Sequence, residues 1–221
     1  MATLLSKDGS VHVTDEVFNT WSAGLGTALA AVGTFFLVQR ALAAADAVRA
    51  WGVSIYGFGL VNMFLWSALH HGVDGSPKTN HTLRQLDYFA ISVMIAGSFT
   101  PFCLRMGTPL GRWVLGVVWV LAIAGIAIKT AWPHAPRWLL TSLYIGMGWL
   151  GLAIAKPVYE IIHPRGFLIL LLGGLFYTVG GIIYGLEKPN PVPGKFGFHE
   201  IWHCFVLAGA LSHFYVICCC L

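Results

Sequence analysis

The string Phe198-His199-Glu200-Ile201-Trp202-His203 sets two imidazoles and a carboxylate at the start of a long apolar run. Ionisable groups at membrane depth are costly unless paired or metal-bound, so they mark functional sites by default. On a helix His199 and His203 project from one face about 6 Å apart along the axis, a spacing that lets both bind one metal ion. Upstream, Ser67 and His71 close another apolar segment with the same spacing, and Asp87 opens the next. Three imidazoles with one position left open form the ligand set of a catalytic zinc, whose fourth ligand is water. His71, His199 and His203 supply those three. Asp87 is suited to accept a hydrogen bond from that water or to orient a histidine. Ser67, one turn before His71, can bond the water, an oxyanion or a ring nitrogen. A single interfacial histidine is more often bonded to backbone or lipid headgroups, but a convergent set favours the metal.

The literal His199-Glu200-x-x-His203 also matches the zinc-protease pattern, with Glu200 as general base. That pattern belongs on a soluble helix, and here it opens a membrane segment. Glu200 is turned by about 100° from His199, which leaves open whether it faces a metal or lines a cavity. His213 lies about 15 Å deeper than His203 and close to the face of His199, too deep to share the metal but placed to line a cavity. His12, His70, His81, His134 and His163 are read as loop residues or as pointing off this face. A retinal photoreceptor is excluded, because the last apolar segment has no lysine for a Schiff base.

The elements that must position these groups are membrane helices. Hydrophobic residues make up 57% of the 221, charged residues 10%, and mean hydropathy is +0.74. A soluble domain of this size cannot hide so much apolar surface. Breaks rich in charge, proline and glycine leave candidate spans at 18–38, 51–71, 87–106, 111–130, 137–155, 165–185 and 197–220, a single all-α seven-helix membrane domain over 1–221. The first apolar run lacks a small-residue cleavage site and reads as a span rather than a leader. Glycines 173, 174, 180, 181 and 185 predict close helix contacts by the sixth span, and the tryptophans gather near span ends as interfacial anchors. The net charge of +4 forms no basic patch for nucleic acid. Cys103, Cys204 and Cys218-Cys219-Cys220 offer no C-x-x-C spacing and no disulfide framework; the terminal triplet reads as apolar filling rather than an acylation site. Asn80-His81-Thr82 is read as a chance sequon.

Seven basic residues on the amino-terminal side against six on the other leave the positive-inside rule tied. Parity decides more. With seven spans, the end of the second, the start of the third and the start of the seventh share one leaflet. Ser67, His71, Asp87, His199 and His203 then lie at one level despite a separation of 128 positions between His71 and His199.

Three stretches in order resemble the hemolysin III family: Ser67-Ala-Leu-His-His71; Leu83-Arg-Gln-Leu-Asp87 with Ile95-Ala-Gly-Ser-Phe-Thr-Pro101; and Ile183 through His203. That family stands with the progestin and adipoQ receptors and, more distantly, the alkaline ceramidases. The resemblance implies a seven-helix bundle in the cell membrane, its amino terminus cytosolic and its carboxyl terminus outside, with Zn2+ near the cytosolic leaflet. It assigns His71, His199 and His203 as ligands, and Ser67 and Asp87 as the family's serine and aspartate. The family's first-span glutamate and asparagine fall on Glu16 and Asn19, but Ala23 stands where a histidine is usual, and His70 and Tyr88 also depart from the pattern. The expected function is zinc-dependent hydrolysis of a lipid amide, with a ceramide-like lipid or fatty acid as substrate or ligand. The competing expectations are a zinc-containing receptor or regulator without turnover, and a hemolysin or cytolysin.

Overall fold

Apolar stretches of this length satisfy their backbone in a bilayer only as helices, because no water is there to bond a free N–H or C=O. The computed structural model describes residues 16–221, which are helical apart from short connections and the longer one between Leu186 and Phe198. The order is α1 (Glu16–Ala43), α2 (Ala47–Gly72), α3 (Pro77–Met106), α4 (Pro109–Ala131), α5 (Arg137–Trp149), a 3-10 segment (Leu150–Ile154), α6 (Ala155–Leu186) and α7 (Phe198–Cys219). Among the described residues there is no strand, and the chain forms an all-α membrane bundle. His12, one of the histidines considered above, lies outside the described residues.

Local chemistry sets the helix starts. The carboxylate of Asp46 accepts the Arg49 N–H at the start of α2, and the Ser76 and Thr108 hydroxyls cap α3 and α4, each followed by a proline in the first turn. Gly107, with φ 62°, ends α3 in the left-handed conformation and makes the tight turn into α4. Two polar stretches expected as loops are largely helical. Gly72–Leu86 is helical from Pro77, because hydropathy marks where the bilayer is while the Ser76-Pro77 cap marks where the helix begins. Lys156–Pro164 is also helical, interrupted at His163.

Six helical stretches are long and apolar enough to cross a membrane, and the longest, Arg137–Leu186, has 50 residues. It is not one rod. His163 has φ 61° and ψ 160°, and Pro164 offers no N–H, so the helical ladder breaks between them. A Cβ on Gly181 would lie 3.2 Å from the Ile145 side chain. Along an unbroken helix those residues would be about 54 Å apart, so the chain doubles back on itself.

The outer surface is apolar. Trp21, Trp51, Trp113 and Trp138, near helix ends, and Phe35, Phe58, Val120 and Ile123, further along, all face outward. Inside, α2 and α3 touch through their backbones. A Cβ on Gly59 would stand 3.1 Å from the Met94 Cα, and one on Gly97 would stand 3.2 Å from the Ile55 carbonyl oxygen. Small residues permit such an approach where bilayer lipid gives no hydrophobic drive for association. In α6, Gly173 and Gly180 receive the His213 and Phe205 side chains of α7 in the same way.

Gly59→Leu should therefore force α2 from α3 and destabilise the protein by about 1–3 kcal/mol. The measurement is thermal unfolding in detergent, with Gly116→Leu as comparison, since no atom stands within 4 Å of a Cβ placed there. Equal melting temperatures for the two variants would contradict the packing argument.

Candidate metal centre

The α7 start is built by a partial capping box. Glu200 reaches back so that its Oε2 accepts the Gly197 N–H at 2.7 Å, which starts the helix and turns His199 and His203 toward α2. His71, in the last turn of α2, meets them. His71 and His199 bring their Nε2 atoms to 3.2 Å, and the His71–His203 ring centroids are 5.1 Å apart. One ligand atom from each of the three histidines falls within 4.8 Å of the other two, and all three residues are buried.

This donor set fits a metal ion. Two imidazole nitrogens bonded at 2.0–2.1 Å to a tetrahedral centre stand about 3.3 Å apart. The far side of two of these rings is occupied. His71 Nδ1 lies 2.5 Å from Glu16 Oε2, and the Ser22 hydroxyl lies 3.0 Å from His203 Nδ1. A carboxylate on Nδ1 holds the proton there and leaves Nε2 a lone pair aimed at the other two histidines, the usual support of a metal-ligating histidine. His199 is backed by the ring of Tyr184, edge-on at 5.6 Å.

Asn19 ties the arrangement to α7. Its amide donates to Glu200 Oε1 at 2.9 Å and to Glu16 Oε2 at 3.3 Å. Glu200 is thus fully buried, with both carboxylate oxygens engaged at the α1–α7 contact. It does not line the cavity, contrary to one expectation from sequence. Ala23, where the family pattern has histidine, is buried in packing. Sequence reasoning missed the parts of Glu16 and Ser22. The available signal was helical spacing, since Glu16, Asn19 and Ala23 recur along one face.

Ser67 and Asp87 stand beside the histidines. Both residues line a cavity of about 240 Å³ together with His199 and His203. The cavity runs between α2, α3, α5, α6 and α7, its wall otherwise mostly apolar, and His213 is on the wall toward its far end. Tyr88, next to Asp87, bonds the Tyr184 hydroxyl at 2.9 Å and joins α3 to α6 at the polar end. His70 is not the bystander expected. It is buried with its ring 4.7 Å from that of His71, and His70, His71 and Asp87 form a second group with metal-ligand spacing. The loop-like reading of His163 is replaced by its place at the break in α6.

Residues 11–214 match the profile of a family described as Haemolysin-III related. The sequence is 35% identical to Hemolysin-3 of Bacillus cereus, over 93% of this chain and 91% of that protein. It is 36% identical to the Hemolysin-3 homolog of Bacillus subtilis (strain 168), over 93% of both chains. A more distant relative is the Monocyte to macrophage differentiation factor of Homo sapiens, 27% identical over 78% of this chain and 70% of that one.

Removing the carboxylate behind His71 tests the supporting layer. Glu16→Ala should weaken divalent-metal affinity about 10–100-fold, the usual cost of losing such a partner. Competition with a calibrated chelator on purified protein measures it, and wild-type affinity in the variant would detach Glu16 from the centre.

Proposed function

Because this multi-pass membrane chain belongs to the haemolysin III-related family, we propose that it is a zinc-dependent hydrolase acting within the membrane on a lipid amide such as a ceramide. The observation that carries the reading is the join of two unlike environments. A cluster of histidines, a carboxylate and a hydroxyl stands at one end of an apolar cavity that continues past His213. Such a cavity accepts an acyl chain while its polar end receives the amide. His71, His199 and His203 would hold the zinc. When bound there, it supplies Lewis acidity that polarises a carbonyl and makes hydroxide accessible near neutral pH.

The remaining chemistry falls to side chains of this chain. Asp87 takes the proton from the water that attacks the amide carbon and returns it to the leaving nitrogen as the C–N bond breaks, yielding a fatty acid and an amine. Ser67, on the cavity wall with Asp87, donates its hydroxyl to the developing oxyanion. Glu16, Ser22 and Asn19 take no part in the bond changes and hold the imidazoles in place.

The proposed setting is the cell membrane, with the amino terminus in the cytosol and the metal centre near the cytosolic leaflet. A single cysteine introduced at Ser76 should then resist a membrane-impermeant thiol reagent in sealed cells. Ready labelling from outside would invert the topology and move the centre to the outer leaflet.

Purified wild type should carry about one equivalent of zinc, and a His199→Ala/His203→Ala double variant should carry none. Asp87→Asn should keep the metal and lose about 10²–10⁴-fold in the release of fatty acid from reconstituted N-acyl lipids. If wild type and Asp87→Asn both hold zinc and are equally inert across ceramides and other N-acyl lipids, zinc serves a receptor or regulator without turnover. The lytic activity named for the relatives would, on the hydrolase reading, be secondary to lipid turnover.

A further inference from the structure

Polar groups recur at a second depth, far from the metal centre. Tyr56 stands eleven residues before Ser67 on α2, and Ser98 eleven residues after Asp87 on α3, each about 16 Å along its helix from the polar end. On α7, His213 lies about 15 Å beyond His203. Tyr177 of α6 packs its ring on Gly209 and edge-on against His213, with ring centroids 5.3 Å apart. Four helices thus bring Tyr56, Ser98, Tyr177 and His213 to one level of the apolar interior. Ser98, Tyr177 and His213 line the cavity, and Tyr56 is fully buried.

Their hydrogen-bonding is incomplete in a particular way. Ser98 donates to the Met94 carbonyl at 2.8 Å and keeps its oxygen lone pairs, and His213 Nε2 is 3.3 Å from the Leu170 carbonyl. The Tyr177 and Tyr56 hydroxyls are buried and meet no hydrogen-bonding atom among the described residues. A phenol hydroxyl without a partner is costly where no bulk water reaches, and phenylalanine would fill the same space without that cost.

We propose that this ring is a second polar subsite of the cavity, and that it selects a fatty acyl chain bearing a hydroxyl group near its middle. The Tyr177 hydroxyl donates to the oxygen of that group, and the group's own proton goes to the Ser98 oxygen. The position along the chain follows from the depth. The wall between Gly209 and His213 lies about 9–15 Å beyond His203. At roughly 1.2 Å per extended single bond, that depth is reached about 8–12 bonds from the carbonyl carbon. The inference rests on the reading that the acyl carbonyl sits at the Asp87 end of the cavity, and not on turnover there.

The probes are stearate, 2-hydroxystearate and 12-hydroxystearate, competing with radiolabelled stearate for the metal-loaded full chain in lipid nanodiscs. Wild type should bind 12-hydroxystearate about tenfold more tightly than the other two, the worth of one well-made buried hydrogen bond. Tyr177→Phe, which keeps the ring packed on Gly209, should bring all three acids to within about twofold of one another. Equal competition by the three acids in wild type overturns the subsite, as does a preference that survives Tyr177→Phe. A preference seen in protein that hydrolyses no N-acyl lipid upholds the subsite while removing the hydrolase. Absence of saturable binding by any of the acids overturns the subsite and the lipid cavity together.

Discussion

A buried carboxylate inside a bilayer has nowhere to find solvent, and the Glu16–Asn19–Glu200 group meets that constraint by bonding two helices to each other. Asn19 bridges the two acids, Glu16 continues to His71 on α2, and Glu200 continues to the N–H of Gly197 that caps α7. Both acids find partners within the protein, as the hydrocarbon environment requires. The consequence is geometric. The ends of α1, α2 and α7 are locked in mutual register, and the three histidines share one level because these bonds leave them little choice.

This arrangement divides labour among the helices. Among the described residues, neither α1 nor α4 contributes to the cavity wall, yet α1 supplies Glu16 and Ser22 behind two histidines. The first helix is therefore an outer brace whose polar face supports His71 and His203. The cavity helices do the opposite, since α3 gives Asp87 to the polar end and apolar side chains such as Met94 and Phe102 to the wall. Close backbone contact between α2 and α3 at Gly59 and Gly97 holds together the two helices that carry Ser67 and Asp87. Packing at small residues thus sets the spacing of the helices that carry these two groups.

Much of the centre was legible in the residues. His71, His199 and His203 stood out because imidazoles are rare in apolar segments, and the parity of crossings put them in one leaflet. The supporting residues were harder to see. Ser22 carries no sequence signal of its own, and its bond to His203 depends on how α1 lies against α7. Glu200 misled for a related reason: the string His199-Glu200-x-x-His203 has the spacing of a catalytic pattern, but the carboxylate turns back to cap its own helix and to meet Asn19. His70 looked idle beside His71 because a helical wheel shows direction along one helix only. It cannot show that Asp87 on the neighbouring helix fills the space His70 faces.

The sequence by itself determined the class of the protein and singled out its candidate metal-binding residues, since hydropathy is a sum over side chains and ligand types are read one residue at a time. Helix boundaries followed less well, because Ser76-Pro77 and the His163-Pro164 break act through backbone hydrogen bonds that hydropathy does not register. Tertiary structure alone decided which atoms meet. The 3.2 Å approach of His71 to His199, the bracing of Glu16 and Ser22, and the level shared by Tyr56, Ser98, Tyr177 and His213 all depend on the rotation and depth of helices distant in the chain. Those quantities are fixed by interhelical packing and polar satisfaction, which are properties of pairs of helices and not of any one segment.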